Sequence, residues 1–69
     1  MDLDNIKALC EGGDLYASND DYANAIRCWS LAAEDKADHE GKYRLGICYY
    51  EGKGVEQDMF SAINWLNNA

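Results

Sequence analysis

The sequence predicts an all-α fold made of two antiparallel helix hairpins, four helices in all, packed side by side. Apolar residues recur at three- and four-residue spacing along the chain, which is the period of an α-helix. No stretch alternates polar and apolar residues for long enough to predict a strand. The 69 residues include no proline, so nothing in the sequence strongly interrupts a helix.

A duplication within the sequence predicts the two hairpins. Gly13 recurs as Gly46, 33 positions later, whereas the pair that begins at Ala25 recurs at Ala62, 37 positions later. The second copy is therefore longer by four residues, which account for the glycine-rich insert at 52–54. Internal repeats of this length that are built from helix pairs are typical of a solenoid.

The first two helices follow from their capping residues and apolar stripes. We expect the first helix to begin at an Asp4 N-cap and to end before a turn at 18–20. The second helix is expected to run from about Asp21 to Lys36. The stripes consist of Ile6, Leu9, Cys10, Gly13 and Tyr16 or Ala17 in the first helix, and Tyr22, Ala25, Ile26, Trp29, Ala32 and Ala33 in the second.

The last two helices are separated by the insert. The third is expected to begin near Asp38 and to end at Gly52, because Gly52 and Gly54 can take the positive φ that stops a helix and turns the chain. Asp58 then caps the fourth helix, and Val55 tucks into the hairpin. The apolar residues are Tyr43, Leu45, Gly46, Tyr49 and Tyr50 in the third helix, and Phe60, Ala62, Ile63, Trp65 and Leu66 in the fourth.

Residues 45–66, LGICYYEGKGVEQDMFSAINWL, resemble the Sel-one-like repeat, a relative of the tetratricopeptide repeat. The positions that match this family's pattern are Leu45, Gly46, Tyr49, Gly52, Gly54, Val55, Asp58, Ala62 and Trp65. The first half fits the shorter tetratricopeptide spacing at Gly13, Tyr16, Ala25, Trp29 and Ala32. It departs from the pattern at Gly12, where leucine is usual.

The resemblance implies a short right-handed α-solenoid that recognises other proteins and performs no catalysis. We expect one domain over residues 1–69, with repeat one at about 4–37 and repeat two at about 38–69. The second repeat stops short of the alanine pair that normally continues the pattern.

Most of the matching residues have a packing or turn role. Gly13 and Gly46 lack a side chain, which allows the paired helix to come close. We expect small residues on the facing helices to do the same and aromatic rings to fill the remaining space. The small residues are Ala25, Ala32 and Ala62, and the rings belong to Tyr16, Tyr49, Trp29 and Trp65.

The acidic charge of the chain indicates which classes of partner it could bind. Thirteen acidic and six basic residues give a net charge of −7, concentrated in the first 38 residues. Such a surface repels nucleic acid and suits a basic protein partner better, although solubility and helix capping are the preferred explanation of the acids. No apolar run is long enough to cross a membrane, and the acidic residues that follow Met1 are unlike a signal peptide. We therefore expect a cytoplasmic location.

The residues that could carry chemistry do not form a recognisable site. If Cys10, Cys28 and Cys48 lie in one layer of the hairpins, a disulfide from Cys28 to either of the others is conceivable, but buried free thiols are the preferred interpretation. His39 is the single histidine and lies far from the thiols in the predicted fold, which argues against zinc and against a cysteine–histidine nucleophile. The 52–54 insert lacks the ending of a phosphate-binding loop. We expect no enzyme activity, metal or cofactor.

A protein-binding surface remains as the functional prediction. In tetratricopeptide-type hairpins the first helix of each pair lines the concave face, and the resemblance places Lys7, Cys10, Asp14, Ala17 and Ser18 there from repeat one. From repeat two it places Glu40, Tyr43, Ile47, Tyr50 and Glu51 there. The predicted partner-binding residues are Lys7, Asp14, Glu40, Tyr43, Ile47, Tyr50 and Glu51. Within this set Tyr43, Ile47 and Tyr50 form an apolar strip that suits a partner's helix or peptide.

The alternative is a structural role. The same strip could pack on a neighbouring repeat or on a second copy of the chain, and Ile63, Trp65 and Leu66 could do likewise. The chain would then be one slice of a longer array or a self-associating scaffold, because two repeats fall short of the three or so that bury a continuous core.

Overall fold

The computed structural model describes residues 2–69; Met1, where the predicted domain begins, lies outside the described residues. These residues form helices α1 (Leu3–Ser18), α2 (Tyr22–Ala33), α3 (Glu40–Glu51) and α4 (Met59–Asn68), and no strand occurs among them. α1 packs on α2, α3 packs on α4, and α2 packs on α3. The all-α prediction of two stacked hairpins is confirmed, with packing like that of a short repeat solenoid.

The predicted start of α1 is wrong by two residues. Asp2, not Asp4, is the N-cap, and its carboxylate accepts a hydrogen bond of 2.9 Å from the backbone N–H of Asn5. Asp4 lies within the first helical turn, where its charge still faces the positive end of the helix dipole. Both aspartates have capping chemistry, so the sequence alone did not choose between them.

α2 begins as expected but ends earlier than predicted. Asp21 is its N-cap, with the carboxylate accepting from the N–H of Asn24. The helix ends at Ala33 instead of near Lys36, because the next N–H groups bond to carbonyls only three residues back. The Asp35 carboxylate then takes the N–H of Ala37 at 2.8 Å. This local turn replaces the last helical turn that the sequence predicted.

The start of α3 is held by Asp38 from outside the helix. Helical backbone begins at Glu40, with His39 in the N-cap position, yet it is the Asp38 carboxylate that accepts from the N–H groups of Gly41 and Lys42 at 2.9 and 3.0 Å. Asp38 is also the one buried charged residue among residues 2–69. The prediction that Asp38 starts this helix is therefore correct in function, although the helix itself begins two residues later.

The insert behaves as predicted at its two glycines. Gly52 ends α3 with a φ of 70° and Gly54 follows with a φ of 75°. Val55 packs against the core, and Asp58 caps α4 by accepting from the N–H groups of Phe60 and Ser61. These hydrogen bonds with Ser61, from its hydroxyl as well as its backbone, lower the pKa of the Asp58 carboxyl.

The insert also contacts the first repeat, which the sequence did not predict. A Cβ on Gly54 would lie 2.7 Å from both Ile26 Cδ1 and Tyr22 Cβ, so the turn of the second hairpin lies directly on α2. Lys53 Nζ donates to the Tyr22 hydroxyl at 3.5 Å and lies 5.2 Å from the centre of its ring. The hydrogen bond with Tyr22 raises the pKa of Lys53.

The close helix contacts at Gly13 and Gly46 are confirmed. A Cβ on Gly13 would lie 2.3 Å from Trp29 Nε1, and one on Gly46 would lie 2.7 Å from Leu66 Cγ. Ala62 also faces Gly46, through its carbonyl oxygen. The small residues Ala25, Ala32 and Ala62 are all buried.

Two buried clusters form the core. One joins the hairpins and contains Ala25, Trp29, Leu45 and Cys48; the other lies between α1 and α2 and contains Ile6, Cys10 and Ala32. Trp29 is only 3% exposed and Trp65 packs against the first cluster, as predicted, but Tyr16 is exposed and does not belong to the core. The sequence left open whether Tyr16 or Ala17 belongs to the apolar stripe of α1, and it is Ala17 that packs against the first cluster.

The apolar stripe of α4 is only partly buried. Ala62 is buried and Trp65 half-buried, whereas Phe60 and Ile63 are 83% and 56% exposed. The helix packs on α3 with one side, and its other side faces solvent. Ile63 is thus exposed, as the predicted alternative of a contact with a neighbouring repeat or a second copy requires, and nothing among the described residues covers this side of α4.

Candidate functional site

The predicted apolar strip is present on α3. Tyr43 and Tyr50 are 47% and 54% exposed, and Ile47 between them is half-buried. Their spacings of four and three residues place them on one side of the helix. We call these three residues the tyrosine strip.

Arg44 lies next to the strip and binds two of the acids expected to select a basic partner. Its Nε donates to Asp14 Oδ1 at 3.0 Å, and its Nη2 lies 3.6 Å from Glu40 Oε1. Its guanidinium carbon lies 5.9 Å from the centre of the Tyr43 ring. Partial burial disfavours the charge, but the hydrogen bond and attraction of Asp14 and then Glu40 outweigh it and raise the pKa of Arg44.

Arg44 was not predicted as part of the site. The Glu40–Arg44 spacing of four residues on one helix is a readable signal for an ion pair. The contact with Asp14 is not readable, because it joins α1 to α3 across 30 residues. Two of the predicted acids thus already have a cation within the chain, whereas Lys7 and Glu51 are exposed on the surface.

Two residues expected on the concave face point elsewhere. Cys10 is buried in the core, and Ala17 packs against the cluster that joins the hairpins. Ser18 is exposed, and its hydroxyl donates to the carbonyl of Leu15. The expectation for Cys10 is wrong because this residue is buried between α1 and α2, whereas Ala17 is half-buried.

The duplication gives the tyrosine strip a structural meaning. A shift of 33 positions carries Cys10 to Tyr43, Asp14 to Ile47 and Ala17 to Tyr50. Two of these residues of α1 touch the second repeat, Cys10 through Asp38 and Asp14 through Arg44, while Ala17 packs against the cluster that joins the hairpins. The tyrosine strip therefore occupies the positions with which a hairpin contacts the hairpin that follows it.

α4 extends the same surface. A shift of 37 positions carries Tyr22, Ile26 and Trp29 to Met59, Ile63 and Leu66. Met59 and Ile63 are exposed, and Leu66 is 36% exposed. α4 contains no charged residue. We call the combined surface the tail face; it consists of Tyr43, Ile47, Tyr50, Met59, Ile63 and Leu66.

The three thiols are free. Cys10 and Cys48 lie in separate buried clusters, and Cys28 is half-buried beside Gly12. The interpretation of Cys10 and Cys48 as buried free thiols is confirmed, while the arrangement of all three in one layer stays a prediction. The Cys10 thiol also donates to Asp38 Oδ1 at 3.4 Å, a contact that the sequence did not predict.

Burial makes the two core thiols poor nucleophiles. It raises the pKa of Cys10 to about 12, with a further contribution from the hydrogen bond to Asp38, and it raises the pKa of Cys48. Both groups are therefore neutral thiols near pH 7, and the thiolate is the reactive form. His39 is exposed at the start of α3. Within residues 2–69, no group of three or more potential metal ligands comes together.

The surface cavities are shallow. A groove of about 450 Å³ lies between α1 and α2, on the side away from the second hairpin, and is lined by Asn5, Ala8, Leu9, Gly12 and Cys28. A second depression of about 350 Å³ lies at the insert, beside Tyr49 and Val55. None of the helices formed by residues 2–69 combines the length and apolar character needed to cross a membrane.

Comparison with known proteins matches the chain to a repeat family. The family model of the Sel1 repeat matches the chain twice, at residues 8–36 and 39–69. These two segments cover most of the chain and coincide with the two hairpins. No curated protein and no solved structure matches the sequence.

Proposed function

Because the chain belongs to the Sel1 repeat family, whose repeats generally mediate protein–protein interaction and are typically non-catalytic, we propose that it binds a helix of a partner protein on its tail face. The tyrosine strip anchors this helix. In this proposal the two repeats, at about 4–37 and 38–69, act as one unit that presents the surface.

The exposure of the tyrosine strip is the observation that carries the proposal. Tyr43 and Tyr50 on α3 and the apolar side of α4 are exposed and lie outside the core, on two helices that pack together. Tyrosine is enriched where interfaces gain most of their binding energy, because its ring contributes a large contact area and its hydroxyl a hydrogen bond. A partner helix lying along α3 would cover this surface with its own apolar side.

The charges at the edge of the surface set the preference for a partner. Asp14 and Glu40 hold Arg44 in place, so the proposal gives them a supporting role. Glu51 lies one residue after Tyr50 and is exposed, which makes it the acid that selects a basic residue. Lys7 lies on α1 beside the start of α3, where the groove next to His39 and Glu40 begins.

The test uses helical peptides selected from a displayed random library. We expect selected peptides to carry an apolar stripe, and expect Tyr43→Ala with Tyr50→Ala to weaken their binding at least about tenfold, since two interface anchors are removed. Tyr16→Ala is the matched control: Tyr16 is also an exposed tyrosine, but its equivalent in repeat two is Tyr49, not a residue of the strip. Binding should be unchanged in this control.

A second variant tests the electrostatic part. Glu51→Gln should reduce the preference for peptides with a basic residue and flatten the salt dependence of their binding. If the double tyrosine variant remains helical and binds peptides as tightly as the original chain, the tail face is not the binding surface.

A further inference from the structure

The contact between the two hairpins shows what the tail face is shaped to hold. α3 lies on the first hairpin through Gly41, Leu45 and Cys48. Gly41 lies close to the backbone carbonyl of Trp29, and Leu45 and Cys48 join the core with Ala25 and Trp29. The natural occupant of such a face is therefore a helix with an apolar side of the α3 type.

α1 exposes an equivalent side. A shift of 33 positions carries Ala8 to Gly41, Gly12 to Leu45 and Leu15 to Cys48. These residues of α1 lie on the side away from the second hairpin, and Leu15 is 67% exposed. The apolar groove of about 450 Å³ opens beside them. We call this surface the head face; it consists of Ala8, Leu9, Gly12, Leu15 and Cys28.

From this internal equivalence we infer that the chain associates with further copies of itself head to tail, the head face of one copy docking on the tail face of another as α3 docks on the first hairpin. The inference rests on the proposed function of the tail face and names its partner helix as α1 of a second copy. Because the two surfaces differ, a docked pair still has one free head face and one free tail face, one on each copy. Such an interface does not close after two copies and adds further copies instead.

The shapes and charges of the two faces support this pairing. Gly12 stands where α3 has Leu45, so the head face has a groove at that position, while the tail face offers the larger side chains of Ile63 and Leu66. α4 has no charged residue, so its side of the contact buries no charge.

One internal contact has no equivalent in the docked pair. Arg44 and Asp14 form an ion pair between the hairpins, but the same shift carries Glu11 to Arg44 and Asp14 to Ile47. Docking therefore sets Glu11 opposite Ile47, where a carboxylate is unfavourable. Glu11→Gln removes this charge and should tighten association.

The experiment measures the mass of the intact chain by sedimentation over a wide concentration range. The average mass of the original chain should rise with concentration and pass beyond that of a dimer. Leu15→Gln on the head face and Ile63→Gln on the tail face should each weaken association at least about tenfold. Both residues are exposed, and glutamine is a good helix former, so both variants should remain folded.

Mixing the two variants separates this geometry from a symmetric one. Leu15→Gln retains an intact tail and Ile63→Gln an intact head, so an equimolar mixture should form a one-to-one dimer that grows no further. If the original chain stays monomeric at every attainable concentration, the inference is wrong. It is also wrong if Leu15→Gln still dimerises as well as the original chain, because the tail faces then pair with each other.

Failure of self-association can be distinguished from failure of the proposed binding to a foreign partner. A monomeric chain that still binds selected peptides, and loses them with the double tyrosine variant, would reject self-association alone. A chain that associates through Leu15 and Ile63 but selects no foreign peptide would reject a foreign partner alone.

Discussion

Adjacent glycines in α1 should respond in opposite ways to the same substitution. Gly12 and Gly13 are both helical, and alanine at either position adds only a Cβ. On Gly12 that atom would have Cys28 Sγ as its nearest neighbour, at 3.9 Å, which is an ordinary contact. On Gly13 it would lie 2.3 Å from Trp29 Nε1 and 2.6 Å from Cδ1, which no packed structure tolerates without movement.

The expected magnitudes follow from these contacts. Alanine is favoured over glycine in a helix by about 1 kcal/mol, so Gly12→Ala should raise the free energy of unfolding by about that amount. At Gly13 the Trp29 ring, which is 3% exposed, would have to move. Overpacking costs about 1–3 kcal/mol, and displacing the indole also breaks its 3.4 Å hydrogen bond to the Cys10 carbonyl. After subtracting the helix preference, Gly13→Ala should lower the free energy of unfolding by about 2–4 kcal/mol.

The effect is large relative to the total stability. A chain of this length has a free energy of unfolding of about 3–10 kcal/mol at the usual 0.05–0.15 kcal/mol per residue. Urea unfolding followed by far-ultraviolet circular dichroism gives the free energy for each variant. The two variants should differ by about 3–5 kcal/mol, and equal stabilities would refute the close contact between α1 and Trp29.

Three further predictions concern Asp38 and the thiols. Asp38→Ala should lower the free energy of unfolding by about 2–4 kcal/mol, because two N–H groups at the start of α3 lose their acceptor. Asp38→Asn keeps a capping oxygen and should lower it by only about 1 kcal/mol, so equal losses of the two variants in urea unfolding would contradict the capping role. The pKa of Cys10 is about 12 in the folded chain against an ordinary 9.0, so the free energy of unfolding should fall by about 1.4 kcal/mol per pH unit between pH 9 and about 12. This contribution is complete below pH 9 and is lost at higher pH, because the thiol then ionises in the unfolded chain but not in the folded one. Cys10→Ala, measured over the same pH range, should lack this component. A thiol reagent should modify Cys28 in the native chain well before the buried Cys10 and Cys48, and all three should react after unfolding; early modification of Cys48 would show that the core opens there.

The parts of the fold that were predictable from sequence are those set by local backbone chemistry and by the duplication. Helical periodicity gave all four helices, and the need for positive φ identified Gly52 and Gly54. The repeated glycines pointed to close helix contacts at Gly13 and Gly46. Each of these features depends on residues near in sequence or on a copy of the same pattern, so no knowledge of distant contacts was required.

The parts that were not predictable depend on residues that meet only in the fold. Asp38 and Cys10 are 28 residues apart, and nothing in either local sequence indicates that a carboxylate and a thiol share a buried site. The same holds for Asp14 and Arg44. The close approach of Gly41 to α2 is of the same kind, because a Cβ on Gly41 would lie 3.1 Å from the Trp29 carbonyl oxygen, 12 residues earlier in the chain.

The tyrosine strip illustrates a different limit. Its exposure was predicted, but its equivalence to the interface between the hairpins depends on the contacts that Cys10 and Asp14 make with the second repeat, which exist only in the fold. The duplication aligns α1 with α3 from sequence alone, but the sequence does not show which side of α1 contacts the second hairpin. Once the interface between two repeats is known, the equivalent residues of the second repeat identify the surface on which a further helix could dock.

The two turn lengths follow from the same interface. The turn of the first hairpin is closed by its own backbone, with the N–H of Asp21 donating to the carbonyl of Tyr16 at 2.9 Å. The longer turn of the second hairpin carries Gly54 onto Tyr22 and Ile26, where a residue with a side chain would collide. The four additional residues therefore do more than connect two helices: they extend the contact between hairpins beyond the helices themselves. In a head-to-tail assembly the short turn of the docking copy would leave Met59, the equivalent of Tyr22, partly uncovered. This contact is therefore weaker than the one within the chain, and association depends on concentration.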